Sequence, residues 1–347
     1  MGWLDLLKAV SAFAVVMTHI ASIGWQAMEP GAPGWFVTSI YEIVTRFAVP
    51  AFFMATGALL LNPRRQLSLR RVLGSYVPRT ALIALSVSFL YCTLERLLYG
   101  WQGWKAVVRA ALDGPYFMWY LWVLVGLYLL VPVLRLIARN AGTLVYTLVI
   151  LALFVMGKST AEAMLPQSWL TVWLDNFILF TSGMEGVFYC LLGALLVRLK
   201  LTRFQSGALL GAGILALCLA IGLNYRSALL YGADLYYVAR DNVLIAIFSI
   251  GVFELFHGLD GRLRPGGWIG RIAGWGMTIY LVHPFFRLAM EGVGFFSPAV
   301  TWLLDAPAIA IPVVSLAMWL LSAAVGAVID LIAEAARNLL AAREPRT

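Results

Sequence analysis

Leu4–Trp25 reads LDLLKAVSAFAVVMTHIASIGW. A run this long and this apolar can span a bilayer as one α-helix, yet it carries Asp5, Lys8 and His19. An ionisable group in a membrane helix is costly and by default marks a functional hypothesis. Lys8 and His19 are eleven residues apart. Three helical turns put them within about 20° on one face and roughly 16 Å apart along the axis. Asp5 falls on the same stripe, two heptads before His19. One helix face therefore runs from a charged end to an imidazole.

The rest of the chain repeats the pattern of that segment. Of its 347 residues 62% are hydrophobic and only 12% charged, against about 25% charged in soluble domains. The class is an all-α integral membrane protein, with 1–347 read as a single transmembrane domain. The net charge of +8 would suggest nucleic acid in a soluble protein. Here its placement along the loops matters instead, and no nucleic-acid partner is expected. Cys92, Cys190 and Cys218 lie in apolar stretches with no paired spacing, so they read as small core residues rather than disulfides or metal ligands. The first segment lacks a basic leader and a small-residue cleavage site, which favours a retained helix over a signal peptide.

Apolar stretches near spanning length recur at about 4–24, 35–61, 77–98, 117–137, 142–157, 172–197, 207–224, 238–257, 271–290 and 307–333. This predicts about ten transmembrane helices. Alternate connections and the tail carry sixteen Lys or Arg residues, among them Arg64, Arg65, Arg70, Arg71, Arg135, Arg198, Arg262, Arg343 and Arg346. The opposite connections hold only Lys105, Arg109, Lys158 and Arg226. The positive-inside rule then puts both termini in the cytoplasm. Lys8 lies towards the cytoplasmic leaflet and His19 towards the outer one.

Other spans carry buried charge too. Glu42 and Arg46 stand one turn apart and can pair within the membrane, either as a structural fastening or as part of a site. Pro50 follows, and is expected to interrupt the second span at its middle. Trp101, Trp104, Lys105 and Arg109 suggest a short interfacial helix. The fourth span opens Phe117-Met118-Trp119-Tyr120-Leu121-Trp122, an interfacial belt or a surface on which a sugar ring stacks. Glu185 is expected near the middle of the sixth span, flanked by Gly183 and Gly186. Gly207-x-x-x-Gly211 and the glycines of 266–274 read as helix-packing signals. His283-Pro284 precedes Arg287 and Glu291 in the ninth span, while His257, beside a polar loop, receives no role.

Available chemistry is narrow. With three histidines and scattered carboxylates, no metal site is expected. No G-x-S-x-G elbow and no phosphate loop are present. General acid–base or acyl-transfer chemistry by a histidine remains, with Lys8 or Arg46 able to bind an anion or to stabilise an oxyanion. A histidine that only bridges helices by a hydrogen bond is the alternative.

These residues form a recognisable series. Lys8-x10-His19 resembles the first-helix signature of the membrane-bound acyltransferase-3 family, and RFAVPAFFMATG (Arg46–Gly57) resembles its second-helix motif. MWYLWVLVGLYLLVPVL, from Met118, and GMTIYLVHPF, from Gly276, are similar to two later family motifs. The similarity covers residues 3–290 in family order and is closest to the branch containing the enterobacterial-common-antigen O-acetyltransferase. Lys8 stands where Arg is commoner, Thr56 where Ser is usual and Phe117 where many members have His.

The resemblance implies ten core helices and an O-acyltransferase of the bacterial inner membrane. Such an enzyme moves an acyl group, usually acetyl, from cytoplasmic acetyl-CoA to a hydroxyl of an envelope glycan or lipid-linked sugar. No cofactor is bound permanently; acyl-CoA is the donor substrate, and glycan-assembly proteins are possible partners alongside membrane lipids. His19 would be the catalytic histidine, as base or acyl carrier, and Lys8 its essential cation. Arg46, Trp119 and His283 fall on motif positions and are candidates for substrate or donor binding. Asp5, Glu42 and Glu185 join them from position and expected burial alone. The cytoplasmic arginines Arg64, Arg65, Arg70 and Arg71 either attract the CoA phosphates or serve only as positive-inside anchors. The rival function is a transporter of a glycan or lipid-linked intermediate, which ten helices with buried charges would serve equally.

Overall fold

The apolar runs fold as helices in the computed structural model, which describes residues 1–63, 66–165, 168–176, 183–233, 236–264 and 266–341. Among the described residues there is no strand. First come α1 (Gly2–Ala27), α2 (Pro33–Val44), α3 (Ala48–Leu60), α4 (Leu69–Arg71) and α5 (Val77–Tyr99), with a π-helical turn between the last two. Next are α6 (Trp104–Asp113), α7 (Trp119–Arg139), α8 (Ala141–Leu151), α9 (Gly157–Met164) and α10 (Trp169–Leu174). The remainder are α11 (Met184–Leu196), α12 (Arg203–Tyr231), α13 (Val243–His257), α14 (Gly267–Gly274), α15 (Gly276–Gly292), α16 (Ser297–Asp305) and α17 (Pro307–Ala341).

Among the described residues seven helical stretches are long and apolar enough to cross a membrane: α1, α2–α3, α4–α5, α7, α8–α9, α12 and α17. α11 and α13 are apolar but shorter. α15 has 17 residues and carries His283, Arg287 and Glu291. Among the described residues, then, seven full-length spans stand where ten were expected, and α11, α13 and α15 are shorter helices in the other three runs. Of the basic residues behind the expected orientation, Arg64, Arg65, Arg343 and Arg346 lie outside the described residues. The short helix expected between the third and fourth spans is α6.

α1 is the axis of the bundle. It packs against α2, α3, α13, α14, α15 and α17, and its Trp3, Leu7, Val16 and Ile20 side chains are fully buried. Between helices in lipid there is little hydrophobic driving force, so close packing at small residues must hold them together. α3 and α11 show how. A Cβ on Gly57 would run into the carbonyl of Cys190, and one on Gly193 into the backbone of Met54. α12 meets α13 at Gly213 and Gly251, where a Cβ on either would stand 3.3 Å from the other's Cα. Gly207 and Gly211, expected to do this work, face open space. Spacing alone does not say which face a glycine occupies. Likewise Cys92 and Cys190 are buried as expected, but Cys218 is exposed.

The second span corrects a further expectation. Its helix breaks at Thr45-Arg46-Phe47, before the proline, and Pro50 sits in the first turn of α3. Backbone N–H groups there lack intrahelical partners in any case, so proline is tolerated. Two arginines cover the other end of α3: Arg135 donates to the Leu60 carbonyl (2.7 Å) and Arg198 to that of Leu61 (3.0 Å). Carbonyls at a helix C-terminus are free to accept, and a cation also suits the dipole. Arg135, inside α7, and Arg198, just after α11, thus fasten a helix end as well as adding to the positive charge counted there.

Candidate functional site

The Lys8–His19 face of α1 opens onto two adjoining cavities. One, of about 90 Å³, is lined by His19, Thr18, Arg46, Trp119 and Arg240 among others. The other, of about 180 Å³, is lined by Lys8, Phe52, Ala273 and Met277. Val15, Val49, Tyr120 and Tyr280 line both, so together they trace a route along α1. The wall opposite α1 is built by the break at Thr45–Phe47 and by the start of α7. At the break the Thr18 hydroxyl donates to Thr45 Oγ1 (2.6 Å), which in turn donates to the Tyr41 carbonyl (2.8 Å). A continuous helix here would carry Arg46 onward around its axis; the break holds it at the cavity.

His19 is half-buried and has a second imidazole beside it. The His283 ring lies 5.0 Å away, centroid to centroid, and the Tyr116 ring 5.4 Å. His283 is fully buried, and its Nδ1 stands 2.9 Å from the Ile279 carbonyl. A carbonyl can only accept, which puts a proton on Nδ1; in the neutral ring Nε2 is then a lone-pair acceptor. That Nε2 has no partner among the described residues. Below the pair, Arg287 donates through one nitrogen to the His19 carbonyl (3.0 Å) and to Ser22 Oγ (2.9 Å). Its Nε donates to Glu291 (3.1 Å). Arg287 therefore fastens the turn of α1 that presents His19.

The charged candidates sort into two groups. Lys8 lies 3.4 Å from Asp5 at the far end of the stripe, both side chains partly exposed. Glu42 and Arg46 pair directly, as their spacing suggested. Glu185 is buried, but in the first turn of α11 rather than at the middle of a span. The run 172–197 is not one helix, because α10 ends at Leu174 and α11 starts at Met184; 177–182 lie outside the described residues. Glu185 accepts from the Gly183 backbone (2.6 Å) and sits 3.7 Å from Arg240. The Arg240 guanidinium in turn stacks over the Trp119 ring at 3.7 Å, a cation–π contact that holds both at the cavity wall.

The aromatic stretch divides between its two expected roles. Trp122 is exposed, as a belt residue would be, while Phe117 and Tyr120 are buried and line the His19 cavity with Trp119. Sequence reading gave no role to Arg240, Arg287 or Tyr280. Arg287 announced itself only as a charge inside the ninth span, and Arg240 only as one at the edge of the eighth. Tyr280, whose hydroxyl donates to the Phe117 carbonyl, was visible only as one residue of the GMTIYLVHPF motif. Among the described residues no three His, Cys, Asp or Glu side chains converge to hold a metal ion.

Long apolar helices with a cavity of histidine, arginine and aromatic side chains inside the bundle define a multi-pass membrane protein with a polar site in its interior. The sequence profile of the acyltransferase domain of the acyltransferase-3 family matches residues 1–322. The chain belongs to that family and is a membrane acyltransferase. No curated protein matches it, and no solved structure does.

Proposed function

We propose that this protein is an O-acyltransferase that carries an acetyl group from cytoplasmic acetyl-CoA to a hydroxyl of an envelope glycan or lipid-linked sugar. The observation that carries this reading is the pair of adjoining cavities that leads from Lys8 to His19 within an acyltransferase chain. In this reading the protein lies in the bacterial inner membrane with both termini in the cytoplasm, in the branch of the enterobacterial-common-antigen O-acetyltransferase. The donor enters at the Lys8 end, where the ammonium group meets its phosphates, and the thioester reaches along α1 towards the imidazole. His19 takes the proton of the acceptor hydroxyl as general base. The oxygen attacks the thioester carbonyl, the carbon–sulfur bond breaks, and the imidazolium returns the proton to the departing CoA sulfur. One ester forms, one thioester is lost, and no cofactor is consumed.

The test is a His19→Ala protein that inserts and accumulates normally. Mass spectrometry of envelope glycans should then show loss of the acetyl-bearing species, as in cells lacking the gene. Glycans acetylated at the wild-type level would remove His19 from the chemistry. Unchanged glycan masses in both strains, with intermediates stranded on the cytoplasmic side, would point to transport instead.

A further inference from the structure

Arg46 and Arg240 reach the His19 cavity from different elements, the break between α2 and α3 and the turn before α13. Each has a carboxylate behind it, Glu42 for Arg46 and Glu185 for Arg240, and neither carboxylate lines the cavity. Neither guanidinium is fully used. Both Nε–H groups are buried without an acceptor among the described residues, and the Glu185–Arg240 separation of 3.7 Å is too long for a hydrogen bond. A buried donor left unpaired costs free energy that an acceptor would recover. Two guanidiniums that each hold a spare donor and that both line one small cavity call for an anion from outside the chain. The other walls, Trp119, Tyr120 and Tyr280, offer flat apolar faces of the kind that sugar rings pack against.

We propose that Arg46 and Arg240 form an anion subsite for the acceptor: the sugar that receives the acyl group carries a phosphate or carboxylate, seated on the two guanidiniums while its hydroxyl faces His19. This rests on the acyltransferase reading above and specifies its substrate class. The donor does not account for the pair. Its phosphates belong with Lys8, whose cavity is lined by neither arginine, and the acyl group it delivers is neutral. The two carboxylates give the empty site a stable resting state, since they neutralise the arginines when no anion is bound.

The experiment is a binding measurement on the full-length protein in phosphatidylcholine nanodiscs without acyl-CoA, titrated with glucose 1-phosphate, glucuronate or glucose. An anionic sugar should bind saturably and glucose should bind far more weakly; the stronger of the two anions identifies the charged group. Arg240→Gln should weaken anion binding by about ten- to a hundredfold, the loss expected for a charge-assisted hydrogen bond. Glu185→Gln should strengthen it, by removing the competing carboxylate, and a merely misfolded protein would not do so. Equal binding of glucose and the anions would overturn the subsite, as would an Arg240→Gln protein that binds like wild type. Displacement of glucose 1-phosphate by CoA would assign the arginines to the donor. Its loss in phosphatidylglycerol nanodiscs would assign them to a lipid headgroup. Because binding is read without turnover, its failure is distinct from failure of acyl transfer in the His19→Ala test.

Discussion

Replacing Arg287 by Gln tests how the imidazole of His19 is held. Arg287 is nine-tenths buried and donates through a single nitrogen to the His19 carbonyl at 3.0 Å and to Ser22 Oγ at 2.9 Å. A hydrogen bond from a charged donor contributes about 1.5–3 kcal/mol. The two share one nitrogen and fasten the same turn of α1, so they fail together and their energies are not summed. The Nε contact with Glu291 adds less, because the Glu291 side chain is one-third exposed. The freed turn can move on the scale of 1 Å, and a misplacement of that size costs about a hundredfold in rate, or about 2.7 kcal/mol of barrier.

The expected result is therefore a kcat lower by about two orders of magnitude with KM for the acyl-CoA donor little changed. Lys8, which meets the donor in the proposed reading, lies three turns away from the disturbed segment. Release of CoA thiol by purified protein supplied with acetyl-CoA and acceptor glycan would measure both constants. Arg287→Lys should fall between the two, since one ammonium group cannot reproduce the fork that spans Glu291 and the His19 carbonyl. An Arg287→Gln protein with wild-type kcat would refute this reasoning, and a loss confined to KM would place Arg287 in substrate binding instead.

Three further outcomes follow from the packing and the cavities. Gly193→Ala forces a methyl group into the Met54 backbone and should destabilise the protein by about 1–3 kcal/mol, seen as a lower denaturation midpoint in detergent; an unchanged midpoint would mean that α3 and α11 are not so closely packed. Lys8→Arg should keep acyl transfer while Lys8→Ala loses it, with the loss appearing chiefly in KM for acyl-CoA; the reverse order would discount the ammonium group. His283→Asn keeps a polar side chain but removes the imidazole whose centre lies 5.0 Å from that of His19, and should lower kcat and change the shape of its pH profile; a parallel fall at every pH would show that His283 only packs.

Much of the helical plan was legible because hydropathy is a sum over neighbours in sequence. A run of apolar residues must be a helix in lipid whatever it packs against, so α1, α7, α12 and α17 could be read with no knowledge of the fold. The Lys8–His19 face was legible for the same reason, since 3.6 residues per turn sets both the angle and the distance. Glu42 and Arg46, four residues apart, paired as the helical period requires.

What lay outside sequence reasoning was anything decided by a second element. Pro50 marked the second span as irregular, but the break falls at Thr45–Phe47, where Thr18 of α1 meets Thr45. Gly207 and Gly211 have the spacing of a packing motif and meet nothing, whereas Gly57 and Gly193 lack it and hold α3 against α11. Glu185 was placed in mid-span by the length of an apolar run that turns out to be divided, and its partner Arg240 stands 55 positions further on. Of the candidates, His19, Arg46 and Trp119 meet at one cavity, with His283 against His19 and Glu185 behind Arg240. Lys8 and Asp5 stay at the other end of the stripe. By itself the sequence determined the membrane class, the principal helices and the face of α1 that carries His19, because these depend on composition and helical period. Only the tertiary structure decided which arginines and aromatics surround that histidine, because helix rotation and crossing are set by packing between residues far apart in the chain.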